Sequence, residues 1–142
     1  MDTHKTDFQS TNLDILKERG LDLIKKQEPI PCPALGNEPI KIDRVLFDHV
    51  VKRKARPDQE LRNRLRALPL AFTLIGTINI YQKHTIDLHK TQFWTLTGVI
   101  NNTCLDVVIR QVRGLEKQVY SIVFKGIMPK NLDKKRARVL PE

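Results

Sequence analysis

His49 stands at the head of a stretch, DHVVKRKARPDQELRNRLRALP (48–69), that holds seven Lys and Arg. Imidazole is the side chain best able to give and take protons near neutral pH, and Arg forks hold phosphate oxygens in pairs. The combination suits a surface that grips phosphates, with Lys52, Arg53 and Arg56 as backbone contacts. A solvated helix face rich in basic residues has the same composition. The stretch YQKHTIDLHKTQ (81–92) gathers Tyr81, Lys83, His84 and His89, a ring to stack on an unpaired base beside groups that carry or accept charge. Arg110, Ser121 and Lys125 complete the set as polar positions on alternating segments.

Other chemistries lack their residues. The chain contains no GxxxxGK[ST], GxGxxG, HExxH or CxxC pattern, and no serine sits in a nucleophile elbow. His and Cys do not fall at metal-ligand spacings, and no carboxylate pair suggests metal-dependent phosphodiester cleavage. No metal and no cofactor are expected. Any cutting of a strand would proceed without metal.

The formal charge is +9 over 142 residues, which favours an anionic partner, nucleic acid or an acidic lipid surface. Most of the excess lies in two blocks: Arg44 to Arg66 has eight basic residues against three acidic, and Lys130 to Glu142 has five against two. The length suits one core. No apolar run reaches the roughly 18 residues of a membrane span, so no membrane partner is expected. The N-terminus lacks a signal pattern, which points to a cytoplasmic protein with Cys32 and Cys104 reduced.

These side chains need elements to hold them. STNLDILKERGLDLIKKQ (10–27) has N-cap candidates and a loose apolar stripe, and reads as a helix weakened by Gly20. EPIPCPALGNEP, with four prolines in twelve residues, reads as an extended connector. The expected organisation is a helical arm (1–28), a Pro-rich linker (29–41) and a main body (42–142). In the body, Asp43 caps a helix through Lys54, and Pro57 opens another that runs to Pro69. The period then changes from about 3.6 to 2. LAFTLIGTINIY (70–81), FWTLTGVIN (93–101), CLDVVIRQV (104–112) and VYSIVFKGI (119–127) are expected as strands. The fold class is α+β, N-terminal helices followed by a four-stranded antiparallel meander. Alternation puts Trp94, Leu96, Leu105, Val107, Ile109, Tyr120 and Ile122 on the core face. Tyr81, Thr95, Thr97, Asp106, Arg110, Ser121 and Lys125 fall on the other.

Helices carrying a histidine, an LP closing the second of them, four meandering strands and the terminal VYSIVFKGIMPKNLDKKRARVLP resemble the barnase–EndoU–colicin–RelE superfamily. Within it, the small phage-associated nuclease-like domains are the most similar. The resemblance covers 42–142 and implies a metal-independent endoribonuclease of toxin or phage type, in which the ribose 2′-hydroxyl attacks the adjacent phosphate. It implies His49 as base or acid, Tyr81 and Lys83 as the aromatic and basic positions near the end of the first strand, Ser121 as a hydroxyl and Lys125 as a phosphate-holding cation. RNA, tRNA or ribosome-associated, is then the expected partner, with an inhibitory protein as a further one. Two alternatives stay open: a non-catalytic nucleic-acid-binding module, and a protein-interaction adaptor that docks through its N-terminal helix and linker.

Overall fold

The structure, a computed structural model, describes residues 12–51, 57–127 and 138–139. Among these residues it is an α+β fold with four helices, three packed on one face of an antiparallel sheet and the N-terminal one chiefly on the helices. Helix α1 (Leu13–Lys26) starts at Asn12, whose side-chain oxygen accepts from the amides of Asp14 at 3.0 Å and Ile15 at 3.2 Å. Leu16, Leu23 and Ile24 carry its buried face. Gly20 earns its place by approach: a Cβ there would lie 3.1 Å from both Leu65 and Leu68. The described part of the expected arm, residues 12–28, is therefore packed into the same core as the body.

The expected linker is also folded. Strands β1 (Ile30–Cys32) and β2 (Glu38–Ile40) pair antiparallel around a short 3-10 turn at Pro33–Leu35. Gly36 and Asn37 close the turn at φ 69° and 62°. Pro31 and Pro39 face each other in this two-stranded ladder, which spares it longer pairing, while Cys32 and Ile40 are fully buried.

Helix α2 (Arg44–Val51) begins at Asp43, whose carboxylate accepts from the Val45 amide at 3.0 Å, as the sequence predicts. Helices α3 (Asp58–Arg66) and α4 (Leu68–Thr77) follow, separated only by Ala67. The second corrects the expectation of a strand over 70–81. Phe72 and Leu74 fit a period of 2, but Leu68, Ala71, Phe72 and Ile75 also make a helical stripe, and all are buried. Pro69 presets the first turn, and the Thr73 and Thr77 hydroxyls donate to carbonyls four residues back, Pro69 and Thr73. Tertiary burial on two sides selects the helix.

The first strand of the meander lies instead in the expected connection, at β3 (Lys83–Ile86). It leads to β4 (Gln92–Ile100), β5 (Thr103–Gln111) and β6 (Gln118–Ile127), in the order β3-β4-β5-β6. The last three match the sequence reading within one residue at each end. Asn101 and Asn102, at φ 51° and 59°, make the two-residue turn between β4 and β5. Within the expected basic tail, β7 (Arg138–Val139) pairs parallel with Gly98 and Val99 of β4. The helices cover Trp94, Leu96, Leu105, Val107, Ile109 and Ile122. Among the described residues no helix is long and apolar enough to cross a membrane.

Candidate nucleic-acid interface

The face of the sheet turned from the helices is built in rows. Thr85, Phe93, Arg110 and Gln118 lie side by side across β3 to β6, and Lys83, Thr95, Val108 and Ser121 form the next row. Thr97, Asp106 and Val123 form a third. The alternation read from β4 and β5 thus holds for Thr95, Thr97, Asp106 and Arg110. It fails in β6, where two register shifts leave Tyr120 and Lys125 without an opposite residue.

The first shift makes the densest cluster on this side. Tyr120, expected in the core, is bulged out and half-buried. Its ring lies 4.5 Å from the His49 ring and 5.7 Å from Phe93, edge-on to the latter. The Arg110 guanidinium sits 4.7 Å over the same ring. Arg110 is held there by Gln118, whose side-chain oxygen accepts from Nε at 3.1 Å and Nη2 at 2.6 Å. The Gln118 amide in turn donates to Asp43 at 3.2 Å, the cap of the helix that carries His49. The sheet edge is where helix and polar face meet, so His49 and Arg110 converge on one ring.

The remaining expected residues do not join them. Ser121 follows Tyr120 but is buried, 5% exposed. Lys125 pairs with Asp106 at 3.4 Å, and Thr97 donates to the other Asp106 oxygen at 2.6 Å. Asp106 is four residues along β5 from Arg110, roughly 13 Å at the strand rise. Lys83 opens β3 and is three strands from Ser121, about 14 Å. Tyr81 is exposed just before β3 and meets His84 edge-on at 6.2 Å. Tyr81 and Lys83 therefore stand at the edge opposite His49. Lys52, Arg53 and Arg56 lie outside the described residues.

Two cations missed by the sequence reading lie at the Arg110 end. The β3–β4 turn and the β5–β6 turn project from this end of the sheet. A depression of about 450 Å³ between them is lined by Lys90, Gln92, Gln111, Arg113 and Gly114. Gln92 and Gln111 flank Phe93 and Arg110 along their strands, so their side chains turn to the opposite face, where Gln92 meets His84 at 2.8 Å. Among the described residues neither Lys90 nor Arg113 has an ion-pair partner. Their only sequence signal is a basic residue in each of two hairpin turns, which means nothing until the turns are adjacent.

Several other basic groups are committed to structure. Arg64, in the basic stretch, is 7% exposed and donates to the Ile122 carbonyl at 2.6 Å and Glu60 at 2.8 Å. Lys117 bonds Glu38 at 2.7 Å and lies 4.9 Å over the Trp94 ring, against which His84 stacks at 5.0 Å. Burial pushes the Cys104 thiol above its ordinary range, and nearby Asp106 adds to the rise while Lys125 opposes it. Among the described residues no cluster of three His, Cys, Asp or Glu could hold a metal. No family model matches the chain, and neither a curated protein nor a solved structure is significantly similar to it.

Proposed function

We propose that the chain is an RNA-binding protein of the cytoplasm that takes single-stranded segments at the Arg110 end of the sheet. The observation that carries the reading is Tyr120, bulged out of β6 between His49, Phe93 and Arg110, at the same end of the sheet as the depression that holds Lys90 and Arg113. Phosphates fit the cations of the depression. Unpaired bases fit Phe93 and the Tyr120–Arg110 pair, because stacking on rings or guanidinium planes needs bases free of a duplex. Anisotropy of a labelled RNA oligomer in EDTA tests this. Log affinity should fall with log salt, by a slope of about −0.7 for each phosphate contact. Lys90→Ala with Arg113→Ala should flatten that slope by about 1.4. RNA that does not bind at low salt, or binds with the same slope in the double variant, sinks the reading.

Cleavage is the second reading, and the position of His49 favours it. An imidazole packed on Tyr120 and Arg110 over the same ring gather, around one aromatic side chain, a proton carrier and a cation able to stabilise a phosphorane. This is the metal-independent route that the resemblance implies, with His49 in the role expected for it. Lys83 and Lys125 would then act on flanking phosphates, since each is more than a nucleotide's reach from His49. RNA incubated in EDTA should yield ends with a 2′,3′-cyclic phosphate, and His49→Ala should abolish them while binding persists. Intact RNA after such incubation leaves binding alone.

A further inference from the structure

Among the described residues, strand β3 has an open edge with an unusual pattern. The Asp87 amide donates to the Thr91 carbonyl at 3.0 Å, which sets the parity of the β3–β4 ladder. Lys83 and Thr85 bond inward to Thr95 and Phe93, so the amides and carbonyls of His84 and Ile86 point away from β4. Strand β7 pairs with β4 only at Gly98 and Val99, beyond the end of β3. All four β3 side chains are exposed. Ile86 is 57% exposed and Leu88, in the turn, 97%. Exposed apolar side chains beside an unpaired strand are a template for another strand.

The charge along this edge selects what can pair with it. We propose that β3 pairs antiparallel with β3 of a second copy of this chain, with Thr85 on the two-fold axis. In that register His84 and Ile86 face each other and exchange the outward backbone bonds. Lys83 faces Asp87 of the second copy at both ends. The Asp87 carboxylate is prepared for this, because Oδ1 accepts from the amides of His89 at 2.9 Å and Thr91 at 3.0 Å, leaving Oδ2. Leu88 comes to lie over Gln82 of the second copy. Sliding by one step either way puts Lys83 opposite Thr85 or His89 and loses both ion pairs. A lysine on a short edge discourages pairing with most strands. Here it accepts a strand with an acid opposite it, and this chain supplies one.

Sedimentation of the full chain at rising concentration, without nucleic acid, tests the pairing apart from the RNA reading. A monomer–dimer equilibrium is expected. Lys83→Glu sets like charges opposite each other and should raise the dimer dissociation constant about tenfold. His84→Pro removes an outward amide while leaving the β4 ladder intact, and should give a monomer with unchanged far-ultraviolet circular dichroism. Thr85→Cys should form a disulfide-linked dimer in air, since residues facing across the axis have Cα atoms about 4.5 Å apart. Lys83→Cys should not, and the native Cys32 and Cys104 are buried. A chain that sediments as a monomer at every concentration overturns the proposal. So does a dimer indifferent to Lys83→Glu, or a Thr85→Cys variant that stays reduced.

Discussion

Arg64 shows how a residue type misleads when its surroundings are hidden. It sits among seven basic residues of the opening stretch and has the same chemistry as its neighbours. Its guanidinium is nonetheless spent on a main-chain carbonyl of β6, and among the described residues its Nε has no partner. Arg64→Ala should therefore weaken folding by about 2 kcal/mol, because the Ile122 carbonyl is left buried without its donor. Urea unfolding checks this, and RNA affinity should be unchanged. Cys104 gives a second expectation. Its thiol is held neutral by burial, so the folded chain keeps a proton that the unfolded chain loses near the ordinary thiol pKa of about 8.5. Above that pH the unfolded state binds fewer protons, and stability should fall as pH rises further. Alkylation at pH 7 should be slow until the protein is denatured.

At the scale of elements, the sequence was legible where two signals agreed. Helix α1 has both an N-cap and a stripe, and β4, β5 and β6 have alternation bounded by short turns. Asn12→Ala should cost about 1 kcal/mol, measurable as a lower unfolding midpoint, because two amides lose their acceptor. Gly20→Val should cost about 1–3 kcal/mol by forcing branches against Leu65 and Leu68, although it removes a poor helix former. Legibility failed where apolar residues filled both periods, as in 68–77, and where prolines suggested a connector, as in 30–40. Neither signal says whether a second surface will cover the segment. The candidate site failed for a related reason: strict alternation assigns Tyr120 to the core, and only the bulge moves it beside His49.

Across the whole molecule, the charge was visible in composition but its convergence was not. Lys90 and Arg113 come from separate turns and reach one depression because β4 and β5 end together. Competition between single-stranded and duplex RNA of equal length should favour the single strand, since a closed helix hides the base faces that Phe93 and Tyr120 would receive. Equal competition would leave phosphate contact as the whole of the binding. One further feature ties the far edge to a measurable signal. Trp94 is the chain's single indole, and its ring has His84 of β3 stacked against it and the Lys117 ammonium over it. Its ultraviolet emission is thus a built-in gauge of what happens along that edge: a strand pairing beside His84 alters the surroundings of a fluorophore the protein already carries, so occupancy should be readable in its brightness without attaching a dye.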